Sequence, residues 1–311
     1  MVDYNGKQWF FSLVKYIKLY RESYDMKRQV RIQMALLLYS VVITFILSHT
    51  EGGDFKIDPL YFSLVGIVLS LMLVFRLNTA YDRWYEGRKL WGALVNQSRF
   101  VAQFFKTNQE GVDSARMTKI RNFLSAFPWV FCLHLRGEKE DKLPNYFDAQ
   151  LKSEISQKTH RPNFILATLQ AEFLKSQKLN EISELDKRTL SESIREYYNI
   201  LGGCERILNT PIPFSHNYFI KSFILIYTCA IPFGLYHFFG WWTLLATFII
   251  GYALIGIEII SEAIEEPFGR DANDLPLELL CAKIEENMNE IFEHHPEEKP
   301  MDVYPYEWIL H

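Results

Sequence analysis

The amino-acid sequence predicts an all-α protein with four transmembrane helices and a helical cytoplasmic domain. Hydrophobic residues make up 49% of the 311-residue chain, and 23% of its residues are charged. The charged residues are absent from a few long windows and concentrated elsewhere, as in membrane spans joined to a water-facing body. In the middle of the chain, apolar residues recur three and four positions apart, which indicates amphipathic helices.

Charge-free windows locate the predicted spans. Residues 32–48 and 59–75 are each 17 residues long, at the short end of the roughly 17–25 residues that a spanning helix needs. A longer charge-free stretch of 36 residues covers 222–257, and we divide it into spans at about 218–236 and 241–258, joined by a tight turn. One such run could be a buried core helix of a soluble protein, but four of them favour membrane insertion.

Lysine and arginine predict the orientation of these spans in the cell membrane. Basic residues are frequent before the first span and after the second, whereas the loop between them, HTEGGDFKID, has one Lys and three acids. Because cytoplasmic loops are enriched in Lys and Arg, both termini and the long middle segment are predicted to be cytoplasmic. The predicted parts are an N-terminal segment (1–29), transmembrane helices 1 and 2 (30–76), a helical cytoplasmic domain (77–213), transmembrane helices 3 and 4 (214–260), and an acidic element, helix and tail (261–311).

Several classes of function find no support in the sequence. The four cysteines lie far apart, and neither they nor the histidines show metal-ligand spacing. A phosphate-binding glycine loop and a recognisable catalytic constellation are also missing, so we predict that the protein is not an enzyme. A net charge of −4 argues against nucleic acid as a partner.

An apolar stripe and a proline pair are candidate functional features. Ile67, Leu71 and Phe75 are four residues apart and share one face of the second span. Such a stripe packs against a neighbouring helix or lines a hydrophobic constriction. Pro211 and Pro213 exclude a helix between them and require one to start just after them. Ile212 is therefore held in a non-helical segment, which by itself is the pattern of an ordinary helix start.

The acidic run Asp271-Ala272-Asn273-Asp274 has two interpretations. Oxygen ligands at this density suit a hard cation such as calcium, and acidic residues also cap helices. An EF-hand is excluded, because Pro276 occupies the position that needs glycine. We favour an acidic cap ahead of the helix that LPLELL begins.

Three segments of the sequence resemble the bestrophin family. They are FRLNTAYDRWYEGRKLWGALVNQSR (75–99), GGCERILNTPIPFSH (202–216) and EEPFGRDANDLPLE (265–278). They occur in the family's order, and the similarity covers nearly the whole chain. The resemblance implies a homopentameric channel with one central pore, whose neck is lined by the second helix of each subunit.

The resemblance also implies roles for the candidate residues. It implies that Ile67, Leu71 and Phe75 line the pore neck and that Ile212 forms a lower, cytoplasmic aperture. Asp271 and Asp274 would be the remnant of a calcium clasp, but Ala272 lacks a side-chain ligand, so calcium is possible and not favoured, and no cofactor is required.

The implied function is passive conduction of chloride or other monovalent anions through this pore. The implied partners are other copies of the chain, the lipid bilayer and the permeant ions. A channel selective for monovalent cations remains an alternative, and a membrane enzyme or scaffold is an alternative of a different class.

Overall fold

The computed structural model describes residues 24–49, 58–108, 112–138, 149–179, 182–271 and 273–293. Within these ranges the chain forms helices and contains no strand, as predicted. The helices are α1 (Tyr24–His49), α2 (Pro59–Thr107), α3 (Ser114–Leu135), α4 (Ala149–Ser156), α5 (Arg161–Lys178), α6 (Glu184–Asn209), α7 (Phe214–Phe239), α8 (Thr243–Glu265) and α9 (Leu277–Ile291). Most of the predicted N-terminal segment and the predicted C-terminal tail lie outside the described residues.

Among the described residues, three helical stretches are long and apolar enough to cross a membrane, namely Tyr24–His49, Leu60–Thr107 and Phe214–Glu265. The third contains both α7 and α8, which a short 3-10 turn at Gly240–Trp242 joins. Gly240 has φ +52°, a conformation that residues with a Cβ atom rarely adopt. Lys221 near the start of α7 lies 2.8 Å from Glu262 near the end of α8, so the two helices are antiparallel. Four separate spans remain a prediction.

The apolar helices pack together as an up-and-down bundle. Gln33 of α1 donates to the Phe248 carbonyl of α8 at 2.8 Å, and Tyr227 of α7 donates to the Phe62 carbonyl of α2 at 3.1 Å. The bundle has its own core, made of Leu36, Leu69, Leu73, Ile220, Ile224, Leu254, Ile255 and Ile259. The charged residues of these helices gather at one end, where Arg28 and Lys221 both contact Glu262.

Helix α2 joins the apolar bundle to the rest of the protein. It is 49 residues long, which corresponds to about 74 Å at a rise of about 1.5 Å per residue. The Asp58 side chain caps it by accepting the Leu60 N–H at 2.9 Å. No break occurs at the predicted boundary between residues 76 and 77, so the two predicted parts share one rigid helix.

The C-terminal half of α2 packs with α3, α5, α6 and α9 around an aromatic core. Trp91 of α2 stacks on Phe131 of α3 with ring centroids 5.2 Å apart. Tyr197 of α6 donates to the Ser98 hydroxyl at 3.0 Å. Helix α6 passes without interruption through Gly202 and Gly203. A Cβ at Gly203 would lie 2.9 Å from a methyl of Leu90. This glycine lets α6 approach α2 closely.

Candidate functional site

The predicted neck residues lie on the exposed face of α2. Ile67, Leu71 and Phe75 are 66%, 56% and 60% exposed in the single chain. The buried residues of the same stretch, Leu69 and Leu73, point into the bundle from the opposite side of the helix. The stripe therefore does not pack against any of the helices described for its own chain. It is available to a lipid, another subunit or a pore, and its role as a neck remains a prediction.

The exposed face of α2 changes character just after Phe75. At 100° per residue, Asn78, Asp82 and Lys89 continue the direction of Leu71, and all three are exposed. The exposed face of α2 is thus apolar along the bundle and polar along the water-facing domain. Asp82 is the first ionisable side chain on this face after the apolar stretch.

Ile212 lies in the short non-helical segment that the proline pair predicted. Residues 210–213 separate the end of α6 from the start of α7 at Phe214, which confirms the predicted helix start. The Ile212 side chain is half-buried, and its backbone N–H donates to Oε1 of Glu265 at 3.1 Å. The segment is therefore anchored to the last residue of α8. Its role as an aperture stays a prediction.

A buried ion pair connects this segment to the predicted neck. Arg76 follows Phe75 directly, is 0% exposed, and donates to Oε2 of Glu265 at 2.6 Å. The two oxygens of Glu265 therefore bind the neck helix and the Ile212 backbone at the same time. Because a buried charge is costly without a partner, these contacts are tightly constrained. Glu265 was not among the predicted site residues.

Arg83, two turns further along α2, clamps the same region. Its guanidinium donates to the carbonyls of Ile207 and Thr210 at 2.6 and 2.7 Å, and to the Glu265 carbonyl at 3.1 Å. These carbonyls lie at the C-terminal ends of α6 and α8, where backbone acceptors lack intrahelical donors. The planar fork of an arginine suits several acceptors at once. Arg76 and Arg83 are seven residues apart in the sequence, which places both side chains on the same face of α2.

The interpretation of Asp271 and Asp274 as a helix cap is wrong. Helix α9 begins at Leu277 with Pro276 at its N-cap, and no side chain caps it. Asp274 instead points inward and accepts the Asp271 backbone N–H at 2.6 Å. Burial raises the pKa of Asp274 to about 7. The hydrogen bond of this carboxylate is therefore made within its own loop and not with α9.

Two features of the acidic element bear on whether it could hold a calcium ion. One oxygen of Asp274 is already occupied by the backbone of its own loop, and residue 272 is an alanine. Arg270, next to Asp271, forms ion pairs with Glu138 and Glu278, which places positive charge beside the element. A calcium site needs six to eight oxygen ligands. Calcium binding at this element stays a prediction, and calcium remains possible but not favoured.

Elsewhere in the described part of the chain, one cluster of three side chains is compact enough to hold a metal ion. It consists of His134, His160 and Glu205, whose ligand atoms lie within 4.8 Å of one another. Sequence spacing gave no sign of it, because the three residues belong to separate helical segments.

The sequence model of the bacterial and fungal bestrophin proteins matches residues 25–290 of this chain. A voltage-dependent anion channel-forming protein of Nostoc is 36% identical over 79% of this chain and 82% of its own length. A protein of Synechocystis with the same description is 32% identical over 85% of this chain and 86% of its own length. The crystal structure of a bacterial bestrophin homologue from Klebsiella pneumoniae has a TM-score of 0.82 and 25% identity, and the match covers 86% of this chain and 99% of that one.

Proposed function

Because this chain belongs to the bacterial and fungal bestrophin family, we propose that it is an ion channel that conducts chloride and other monovalent anions passively. The channel lies in the cell membrane with both termini in the cytoplasm. The observation that carries the proposal is the exposed apolar stripe of α2, in a chain whose relatives bear the description of anion channel-forming proteins. No cofactor is required for conduction.

The pore lies between subunits and not within one. The helices of a single chain pack around an apolar core of their own, whereas the apolar stripe of α2 faces outward. Five copies around an axis, as the family resemblance implies, bring five α2 stripes together. Rings of Ile67, Leu71 and Phe75 then form a narrow hydrophobic neck, which loses water easily and acts as a gate.

The neck and the aperture are mechanically connected through Glu265. Arg76 fixes α2 just below Phe75, and the same carboxylate holds the backbone of Ile212. A displacement of α2 at the neck therefore moves the Glu265 carboxylate, which accepts the backbone N–H of Ile212. The channel opens and closes as one unit and not as two independent rings.

Anion selectivity has support from the aperture. Helix α7 begins at Phe214 without a side-chain cap, so the partial positive charge of its first N–H groups is directed at the aperture segment. Selectivity for monovalent cations is the second candidate, and Asp82 favours it, since five copies of this exposed carboxylate would lie just beyond the neck. The variant Asp82→Asn tests whether this carboxylate contributes to cation selectivity. If the variant leaves the reversal potential unchanged, Asp82 is not a determinant of selectivity.

The direct test is passive flux through purified protein in chloride-loaded liposomes. We expect chloride efflux without an energy source. We expect Phe75→Ala to increase this efflux several-fold, because five smaller side chains leave a wider neck in which the ion keeps more of its hydration shell. Val65→Ala is the matched control, since Val65 is an exposed apolar residue on the flank of the same helix. A membrane enzyme or scaffold would give no flux. If Phe75→Ala and Val65→Ala change the flux equally, the face of α2 that lines the pore has been assigned wrongly.

A further inference from the structure

Three side chains from separate helices meet at the side of the water-facing domain. His134 lies in the last turn of α3, His160 is the N-cap of α5, and Glu205 lies one turn before the end of α6. Both imidazole Nε2 atoms are 2.7 Å from the same oxygen, Oε1 of Glu205. The two rings are 4.7 Å apart between centroids. Three segments therefore converge on one carboxylate.

We propose that His134, His160 and Glu205 bind a divalent transition-metal ion of the zinc class, with water as the fourth ligand. Two imidazole nitrogens and one carboxylate oxygen form a recognised zinc ligand set that leaves one position open. Imidazole ligands suit zinc and related transition metals, whereas calcium prefers oxygen ligands only. The site is separate from the acidic element and takes a different class of ion.

The two nitrogen–oxygen distances require only a small adjustment to admit the ion. Metal–ligand distances of about 2.0–2.1 Å place tetrahedral ligands roughly 3.3 Å apart. The two Nε2–Oε1 distances of 2.7 Å must therefore open by about 0.6 Å. The side chains are 25%, 35% and 24% exposed, so they have room to move and water can reach the fourth position.

Metal binding also changes one hydrogen bond at the start of α5. The Nδ1 atom of His160 accepts the Asn163 backbone N–H at 3.4 Å. A neutral ring that binds metal through Nε2 carries its proton on Nδ1, so this contact is lost. At 3.4 Å the contact is longer than the usual range for such bonds, and its loss opposes binding only weakly.

The site lies close to the segment that leads to Ile212. Glu205 is two residues before Ile207, whose carbonyl accepts a hydrogen bond from Arg83. An ion held by His134, His160 and Glu205 fixes the end of α6 to α3 and α5. An effect of zinc on ion flux follows from this and rests on the proposed channel function, whereas zinc binding itself does not.

The test is zinc binding to the purified full-length chain, with any affinity tag removed, measured by titration calorimetry with zinc chloride. We expect one zinc per subunit, unaffected by excess calcium chloride. Replacement of a partner that only orients a metal ligand weakens binding by roughly 10–100-fold, so His134→Ala and Glu205→Gln, which remove direct ligands, should weaken it by at least about 100-fold. His237→Ala is the control, since His237 is exposed at the far end of α7. A His294→Ala, His295→Ala double variant controls for the histidine pair of the tail.

Two further measurements separate loss of binding from loss of folding. Each variant must elute as the same oligomer and retain the wild-type melting temperature without zinc. Anomalous diffraction at the zinc edge should give a peak between the two rings and Glu205 in the unmodified protein. A peak only elsewhere, or unchanged affinity in the His134→Ala and Glu205→Gln variants, would overturn the proposal. Both outcomes are independent of whether the protein conducts ions.

Discussion

The replacement Glu265→Gln isolates the charge of the residue that connects neck and aperture. Glutamine keeps the shape of the side chain, and its carbonyl can still accept the N–H of Ile212. The change removes the negative charge that Arg76 contacts at 2.6 Å. Arg76 is 0% exposed, so it stays buried. Its remaining acidic neighbour, Glu258, lies 3.7 Å away.

The expected destabilisation follows from this burial. Removing one partner of a buried ion pair costs about 3–5 kcal/mol, because the other charge remains buried without compensation. Glu258 offsets part of the loss, so we expect the lower end, about 3 kcal/mol. At about 2 °C per kcal/mol for a chain of this size, the melting temperature in detergent should fall by about 6 °C.

Glu262→Gln is the matched control for this prediction. Glu262 is also a glutamate of α8 with two basic partners, Arg28 and Lys221, but its side chain is 35% exposed. Ion pairs accessible to solvent contribute about 0–1 kcal/mol, so this variant should melt within about 2 °C of the unmodified protein. If the two variants shift the melting temperature equally, the Arg76–Glu265 pair does not behave as a buried charge pair and the reasoning fails.

Four further predictions follow from the described residues. Mass measurement in detergent should give a pentamer, and a stable conducting monomer or dimer would refute the placement of the pore between subunits. Ile212→Ala should widen the aperture and alter the relative permeability of large and small anions, and an unchanged ratio would remove Ile212 from the ion pathway. Micromolar calcium should leave the conductance unchanged, and strong activation abolished by Asp271→Ala would show that the acidic element is a calcium site. Burial raises the pKa of Asp274 to about 7, above about 3.9 in an unfolded chain. The folded protein therefore binds more protons than the unfolded chain between these values, and the contribution of Asp274 to stability becomes less favourable as the pH rises from about 4 to 7. Asp274→Asn should thus raise the melting temperature more at pH 8 than at pH 5, and an equal shift at both values would contradict this assignment.

The helices were predictable because their signals are local. Charge-free windows located the apolar segments, and Pro211 and Pro213 located the start of α7. The turn at Gly240–Trp242 falls where the two last spans were divided. Each of these features depends on a few neighbouring residues, so one sequence suffices to find it.

The contacts that define the candidate site were not predictable in the same way. Arg76 and Glu265 are 189 residues apart, and nothing in the spacing pairs them. His134, His160 and Glu205 likewise meet only after three helices have packed. The prediction that Asp274 caps a helix was wrong for a local reason. Pro276 occupies the N-cap position of α9, and the Asp274 carboxylate accepts the Asp271 N–H of its own loop instead.

The reversal potential under a salt gradient tests the central proposal most directly. Purified protein is inserted into a planar bilayer with a tenfold gradient of potassium chloride. For a perfectly selective monovalent channel the reversal potential approaches about 59 mV in magnitude, and its sign identifies the permeant ion. We predict a value near the chloride equilibrium potential. A value near the potassium equilibrium potential, or no current from a well-folded pentamer, would contradict the account of this protein as an anion channel.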